Sequence, residues 1–94
     1  MTYKLRFKVE AKKEWDKLSE TLKAQFKKKL TKLLETPHIK SAQLSGMPDC
    51  YKIKLRSAGY RLVYQVRDHE LVIIVISVGK RDRNMVYKAA QNRL

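Results

Sequence analysis

Cations crowd one face of a short predicted β-hairpin in this 94-residue chain. The segment CYKIKLRSAGYRLVYQVR, residues 50 to 67, alternates apolar and polar positions and contains no acid. Its polar positions are almost all basic: Lys52, Lys54, Arg56, Arg61 and Arg67. Residues two apart on a strand lie ~6.6 Å apart on one face, and like charges facing each other across strands are destabilising. The hairpin therefore indicates either a site that awaits an anionic ligand or a solvated basic face.

These residue types could cleave RNA without a metal ion. A lysine among other cations has a lowered pKa, so it can act as a general base near neutral pH. Arginine stays charged and can neutralise negative charge that develops on a phosphorane or a leaving oxygen. RNA brings its own nucleophile, the 2′-hydroxyl, and therefore needs only a base, a charge stabiliser, an acid and correct positioning.

Further candidates follow the last predicted strand, where Arg81 and Arg83 occur in the sequence KRDR. Tyr87 comes just after them, early in a predicted C-terminal helix. Stacking of an aromatic ring on an unpaired base is worth ~1–3 kcal/mol. Packing of Tyr87 in the core is equally compatible with the sequence, so both alternatives stay open.

Other catalytic and metal-binding signatures are absent from the sequence. It contains no HExxH, CxxC, phosphate-cradling glycine loop or nucleophile elbow. His38 and His69 are predicted to be solvated residues of a loop and a turn. The single cysteine, Cys50, excludes an internal disulfide and is predicted to be a buried, reduced strand residue. We therefore expect no metal ion and no cofactor.

The charge balance favours a polyanionic partner. Twenty-two Lys and Arg residues against nine Asp and Glu give a net charge of +13, which suits nucleic acid, an acidic protein or an anionic membrane. The start, MTYKLRFKVE, lacks the apolar segment of a secretion signal, and the longest apolar run, LVIIVI, is too short to span a membrane. We expect a cytoplasmic protein without membrane association.

Hydropathy periods predict the elements that position these residues. Residues 2 to 8 alternate as a half-buried strand, whereas residues 10 to 35 carry apolar residues at helical spacing. One continuous helix there would span ~39 Å, against a radius of gyration of ~12 Å for a domain of this size. A helical hairpin broken near Ser19, a good N-cap residue, fits better. The predicted apolar stripe is Ala11, Trp15, Leu18, Leu22, Phe26, Leu30 and Leu33.

The remaining elements complete one predicted domain over residues 1–94. A loop over 37–49 leads into the hairpin, which turns at SAG, and the apolar run LVIIVISV is predicted to form a central strand ended by Gly79. A helix from about Asn84 follows. The order β-α-α-β-β-β-α predicts a small α+β domain with a mainly antiparallel sheet. The helical hairpin should cover the face of Tyr3, Phe7, Ile53 and Leu62, with a basic groove on the opposite face.

Four segments closely resemble the RelE family of bacterial toxins: GMPDCYKIKLRSAGYRLVYQV, VISVGKRDRNMVY, KEWDKL and KKKL…LLETP. The resemblance covers essentially the whole chain. It implies the RelE/ParE-like fold and a toxin of a type II toxin–antitoxin system that inhibits translation. Such toxins are metal-independent endoribonucleases, which enter the ribosomal A site and cleave messenger RNA by attack of the 2′-hydroxyl on the adjacent phosphate.

The resemblance also implies roles for individual residues. Lys54 would be the general base, and Arg81 the general acid or leaving-group stabiliser. Arg61 would stabilise the transition state, Lys52 would assist electrostatically, and Tyr87 would stack on a base. The implied RNA-binding set is Lys27, Lys28, Lys52, Lys54, Arg56, Arg61, Arg81, Arg83 and Tyr87. One departure is Ser45, where close relatives carry arginine, which puts one basic contact in doubt.

Partners and alternatives follow from the same resemblance. It implies a RelB-like antitoxin that displaces the C-terminal helix and removes Tyr87 from position. The complex would repress its own operon, with the antitoxin making most contacts to operator DNA. One alternative is a ParE-like toxin that poisons DNA gyrase, against which the cationic set with Tyr87 argues. The other is a non-catalytic RNA- or DNA-binding module, which the composition permits.

Overall fold

A four-stranded mixed sheet carries helices on both of its faces. The computed structural model describes residues 2–80 and 85–94. Strand β1 spans Lys4–Phe7, and helices α1 and α2 span Val9–Asp16 and Glu20–Leu33. Strands β2, β3 and β4 and helix α3 follow, at Cys50–Leu55, Tyr60–Arg67, Val72–Lys80 and Met85–Arg93. The predicted α+β class and element order are confirmed.

The strands are ordered β1-β4-β3-β2 across the sheet. Strand β3 pairs antiparallel with both β2 and β4, whereas β1 lies parallel to β4. Strand β4 is central, as its apolar residues on both faces predict. Val63 pairs with Ser77 and Tyr64 with Val75, so Ile76 is the extra residue of a β-bulge in β4. The hairpin of β2 and β3 therefore forms one edge of the sheet.

Helices α1 and α2 form the predicted hairpin on one face of the sheet. Their junction lies at Ser19, whose hydroxyl oxygen accepts a hydrogen bond from the backbone N–H of Leu22 at 3.2 Å. This N-cap satisfies a donor that the first turn of α2 would otherwise leave unpaired. The first core combines the predicted stripe with the inner face of the sheet, and it buries Ala11, Trp15, Leu18, Phe26, Leu30, Ile53 and Leu62. Tyr3 and Phe7 pack at its periphery.

The opposite face divides into an apolar part and a cationic part. Helix α3 buries Val86 and Ala90 in a second core, against Met47, Cys50, Val63 and Ile76. The sequence prediction placed a basic groove on this face and gave no position for the last helix. The structure adds that Val63 and Ile76 form an apolar surface there, which α3 covers. Cys50 is fully buried, as predicted, and burial raises the pKa of its thiol to about 11.

Element ends differ from the predictions by one or two residues. Strand β4 continues past Gly79 to Lys80, which pairs with Tyr60. The hairpin turn has four residues, 56–59, rather than three, and Gly59 takes a φ of 69° that favours glycine. The predicted start of the last helix, Asn84, lies outside the described residues. Across residues 2–80 and 85–94, no helix combines the length and apolarity that crossing a membrane requires.

Candidate active site

The hairpin places the predicted cations on one face. Lys54 on β2 lies directly opposite Arg61 on β3, and Lys52 lies opposite Val63. Arg61 also faces Gly79 on β4, where the absence of a side chain leaves room for α3. A Cβ added at Gly79 would lie 3.4 Å from Val86 of that helix. The shared face that the alternation predicts is therefore present, and α3 borders it.

Tyr87 meets the cationic face from α3. An Arg61 Nη1–H donates a hydrogen bond to the Tyr87 hydroxyl at 3.1 Å. The guanidinium carbon of Arg61 lies 5.9 Å from the centroid of the tyrosine ring, within reach of a cation–π interaction. The half-buried ring also packs at the border of the second core. The ring of Tyr87 therefore contacts the core, as one alternative predicts, and its hydroxyl lies beside Arg61, whereas stacking on an RNA base stays a prediction.

A basic groove of about 700 Å³ runs between α2 and the hairpin turn. Its basic lining residues are Lys28, Lys29, Lys32, Lys54 and Arg56. Two adjoining hollows of about 320 and 330 Å³ also contain Lys54, and they extend to Arg61 and to Lys52. Positive charge therefore continues from the lysines of α2, around the turn, to the residue that contacts Tyr87.

The lysines of α2 that line the basic groove differ from the pair, Lys27 and Lys28, that was predicted to bind RNA. Lys27 is exposed and does not line the basic groove, whereas Lys29 and Lys32, which were not singled out, do. Helical spacing contains a signal for this difference. With Phe26 at zero and about 100° per residue, Lys28, Lys29 and Lys32 fall near 200–300°, whereas Lys27 falls near 100° on the other flank.

Two predicted cations cannot be placed on this surface. Arg81 and Arg83 lie in the segment 81–84, outside the described residues. Lys80, which precedes them, ends β4 beside Tyr60 of the hairpin. The roles of both arginines remain predictions.

Neither His38 nor His69 lines the basic groove or the two adjoining hollows. The Nε2 and Nδ1 atoms of His38 hydrogen bond to Asp68 Oδ1 at 2.8 Å and to the Tyr51 hydroxyl at 3.0 Å. Tyr3 donates to the same Asp68 oxygen at 2.6 Å, and these bonds from Tyr3 and His38 lower the pKa of the Asp68 carboxyl. His38 is thus a partly exposed link between a loop and the sheet, rather than only a solvated residue. Among the described residues, no group of three or more His, Cys, Asp or Glu side chains could hold a metal ion.

Comparison with known proteins identifies the family. The family described as "ParE toxin of type II toxin-antitoxin system, parDE" matches residues 5–85. The mRNA interferase toxin RelE of Escherichia coli (strain K12) is 58% identical over 94 residues, which cover 100% of this chain and 99% of that protein. This chain belongs to the RelE family. The mRNA interferase RelE of Shigella flexneri has the same identity and coverage.

Solved RelE structures share the fold. A mutant of the E. coli toxin RelE in the free state is 56% identical, with a TM-score of 0.92 and coverage of 100% of this chain and 99% of that one. The toxin in the intact E. coli RelBE toxin–antitoxin complex is 60% identical, with a TM-score of 0.83 and coverage of 86% and 99%. Coverage of 100% of this chain and 99% of the free toxin extends the RelE likeness to the hairpin and α3 alike.

The departure from the RelE pattern at Ser45 lies apart from the basic groove. Ser45 is exposed and lines a separate hollow of about 580 Å³ in the loop before β2, next to Gly46 and Lys40. Neither Arg61 nor Tyr87 lines that hollow. A lost basic contact at Ser45 would therefore leave the Arg61–Tyr87 contact in place.

Proposed function

We propose that this RelE-family chain is the toxin of a type II toxin–antitoxin system, and that it cleaves messenger RNA in the ribosomal A site. The observation that carries the proposal is the hydrogen bond between Arg61 and Tyr87, on the face where Lys54 lies directly opposite Arg61. This arrangement joins a candidate base, a charge stabiliser and a stacking ring. The proposal places the protein in the cytoplasm, where ribosomes are, and requires no cofactor.

The cleavage step uses the 2′-hydroxyl of the RNA as its nucleophile. Lys54 takes the hydroxyl proton, the 2′-oxygen bonds to the adjacent phosphorus, and the bond from phosphorus to the 5′-oxygen breaks. The products are a 2′,3′-cyclic phosphate and a free 5′-hydroxyl. The Cβ atoms of directly opposed residues on paired strands are about 4.5–5.5 Å apart, so Lys54 and Arg61 can both contact one phosphodiester.

The other proposed residues stabilise charge and orient the RNA. Arg61 is charged at all working pH values, so it can offset the additional negative charge of the phosphorane. Lys52 adds positive potential on the same face. Arg81 assists departure of the 5′-oxygen, as a proton donor or by its charge. Tyr87 stacks on a base, and its contact with Arg61 couples base position to phosphate position.

The test of this function is the cleavage product on programmed ribosomes. We expect breaks within the A-site codon, with a cyclic phosphate at one end and a 5′-hydroxyl at the other, while the same RNA without ribosomes stays intact. A 2′-deoxy substitution at the cleaved nucleotide should abolish the break. Intact messenger RNA together with inhibited gyrase supercoiling would indicate a ParE-like toxin instead. Ribosome binding without any cleavage would indicate a non-catalytic binding module.

The basic groove, which includes Arg56, is proposed to hold RNA backbone together with Arg83. The slope of log K against log salt is negative, and each phosphate contact makes it steeper by roughly 0.7–0.9. Replacing Lys29 with alanine should therefore make the slope for ribosome binding shallower by about that amount. The matched control is Lys27→Ala, which removes the same charge two positions earlier on α2 but outside the groove. Equal losses of slope from both variants would mean that the groove has no special role.

A RelB-like antitoxin is the proposed partner of the free toxin. The solved E. coli complex pairs RelE with its antitoxin, and a second structure pairs an E. coli RelE mutant with an antitoxin peptide. Displacement of α3 by the antitoxin would separate Tyr87 from Arg61 and so neutralise the toxin. The complex would bind operator DNA mainly through the antitoxin and repress its operon.

A further inference from the structure

A bidentate ion pair fastens the C-terminal end of α3 to α1. Arg93 Nη1 and Nη2 donate hydrogen bonds to Glu14 Oε1 and Oε2 at 2.8 and 3.1 Å. The side chains are only 17% and 33% exposed, so solvent and salt screen this pair less than a surface pair. Charge-assisted, two-point contacts of this kind are among the stronger hydrogen bonds in proteins. The hydrogen bonds that Arg93 donates to Glu14 raise the pKa of Arg93.

The same two side chains also bind the backbone of β4 around its bulge. Arg93 Nη1 donates to the carbonyl oxygen of Ile76 at 2.9 Å, and Glu14 Oε1 accepts from the N–H of Val78 at 3.2 Å. Strand β1 ends at Phe7, which is opposite Val75. Beyond Val75, the pair of side chains therefore takes the place of a neighbouring strand. Lys8 adds a further tie, because its Nζ donates to the carbonyl oxygen of Arg93 at 2.7 Å.

Helix α3 depends on such contacts because it is short. An isolated helix of fewer than about 12 residues is marginal in water, and α3 has nine. Its other anchors are few: Val86 is buried and its carbonyl oxygen accepts a hydrogen bond from the Ser77 hydroxyl at 2.8 Å, Ala90 is buried one turn later, and Lys8 binds the carbonyl oxygen of Arg93. The Arg93–Glu14 pair holds the final turn. Without it, unwinding from the C-terminal end can reach the turn that carries Tyr87.

We propose that Arg93 and Glu14 are positioning residues for RNA cleavage: their ion pair keeps α3 docked, and docked α3 holds Tyr87 against Arg61. Neither residue touches the RNA in this scheme. The inference rests on the proposed roles of Tyr87 and Arg61. It adds a second requirement for activity, at the opposite end of α3 from the reacting phosphate.

The first experiment measures docking of α3 without reference to activity. Amide hydrogen exchange of the free protein should show protection in α3 falling at least about 10-fold in Arg93→Ala, with the β3 and β4 amides unchanged. Arg93→Lys keeps the charge but loses the fork geometry, so it should fall between the wild type and alanine. Gln91→Ala, at an exposed position of the same helix, is the matched control and should keep wild-type protection. Unchanged protection in Arg93→Ala would overturn the proposal.

The second experiment links docking to cleavage. Single-turnover cleavage on programmed ribosomes should slow about 10-fold in Arg93→Ala, with unchanged affinity for the ribosome. In a Tyr87→Ala background the same substitution should have no further effect, because two residues that act through one contact are not additive. An equal slowing in both backgrounds would overturn the proposed route through Tyr87.

A third variant controls for misfolding, and a comparison with Tyr87→Ala distinguishes failure of the docking inference from failure of the proposed function. Glu14→Gln retains the size and an acceptor oxygen, so it should weaken the pair while keeping the urea midpoint of global unfolding close to the wild type. It should reproduce part of the loss of protection in α3, and full protection would count against the pair. If Tyr87→Ala cleaves normally, the proposed function of Tyr87 fails. Exchange in the free protein still reports in that case whether Arg93 docks α3.

Discussion

Replacing Lys54 with alanine should slow messenger RNA cleavage on programmed ribosomes by about 10²–10⁴-fold, the range that loss of a general base covers. The resemblance to RelE makes Lys54 the candidate base, and Lys54 faces Arg61 across the hairpin and lines the basic groove and both adjoining hollows. The measurement is the single-turnover rate with toxin in excess over ribosomes. Lys29→Ala removes an equal charge from the same groove and is the matched control, which should alter binding rather than the rate.

The pH dependence of the rate distinguishes a base from a simple positive charge. Cleavage by the wild type should rise with pH as its base loses a proton, and the Lys54→Ala variant should lack that rise. Lys54→Arg supplies the charge without a usable base, since arginine stays protonated. If the arginine variant cleaves at the wild-type rate with the same pH profile, Lys54 acts through its charge alone.

Replacing Phe26 with alanine should lower the free energy of unfolding by about 3–5 kcal/mol, as expected for loss of a buried aromatic side chain. Phe26 has no exposed surface, and its ring centroid lies 6.2 Å from that of Trp15 in the first core. A domain of this size has a total stability of roughly 5–15 kcal/mol, so the variant should be partly unfolded under mild conditions. Urea unfolding followed by the fluorescence of Trp15, the single tryptophan, gives the measurement.

The control for Phe26 is Thr21→Ala, an exposed position on the same helix. Substitutions of this kind usually change stability by no more than about 0.5 kcal/mol. If the two variants unfold at the same urea concentration, α2 does not pack its predicted stripe against the sheet. If the folded molecules of Phe26→Ala still cleave messenger RNA, Phe26 contributes to the stability of the core and not to the reaction at the candidate site.

The sequence could predict the features that follow from the hydropathy period within one short segment. The break at Ser19, the buried stripe of the helical hairpin and the shared face of Lys54 and Arg61 each follow from residues close together in the chain. The parallel pairing of β1 with β4 and the packing of α3 on the sheet do not. They join distant segments, as does the Glu14–Arg93 pair across 79 positions, and a hydropathy period carries no information about such partners.

In the candidate site, too, the sequence predicted what neighbouring residues determine and missed the contacts between distant segments. The hairpin supplied Lys52, Lys54, Arg56 and Arg61 from alternation alone. The sequence offered Tyr87 as either a stacking or a core residue, the likeness to RelE favoured the stacking role, and the structure adds its contact with Arg61. For α2, helical spacing from the buried Phe26 separates Lys27 from Lys28 and Lys29, but it does not show which of the two flanks lies beside the hairpin turn, because that depends on tertiary packing.

The buried thiol of Cys50 makes the native protein convenient for site-specific labelling. Alkylating reagents attack the thiolate, and a fully buried thiol with a pKa of about 11 presents almost none of it at neutral pH. A cysteine introduced at exposed Gln91 would therefore take up a fluorophore alone, with the native cysteine left in place. Such a reporter on α3 would follow the arrival of an antitoxin or a ribosome in real time.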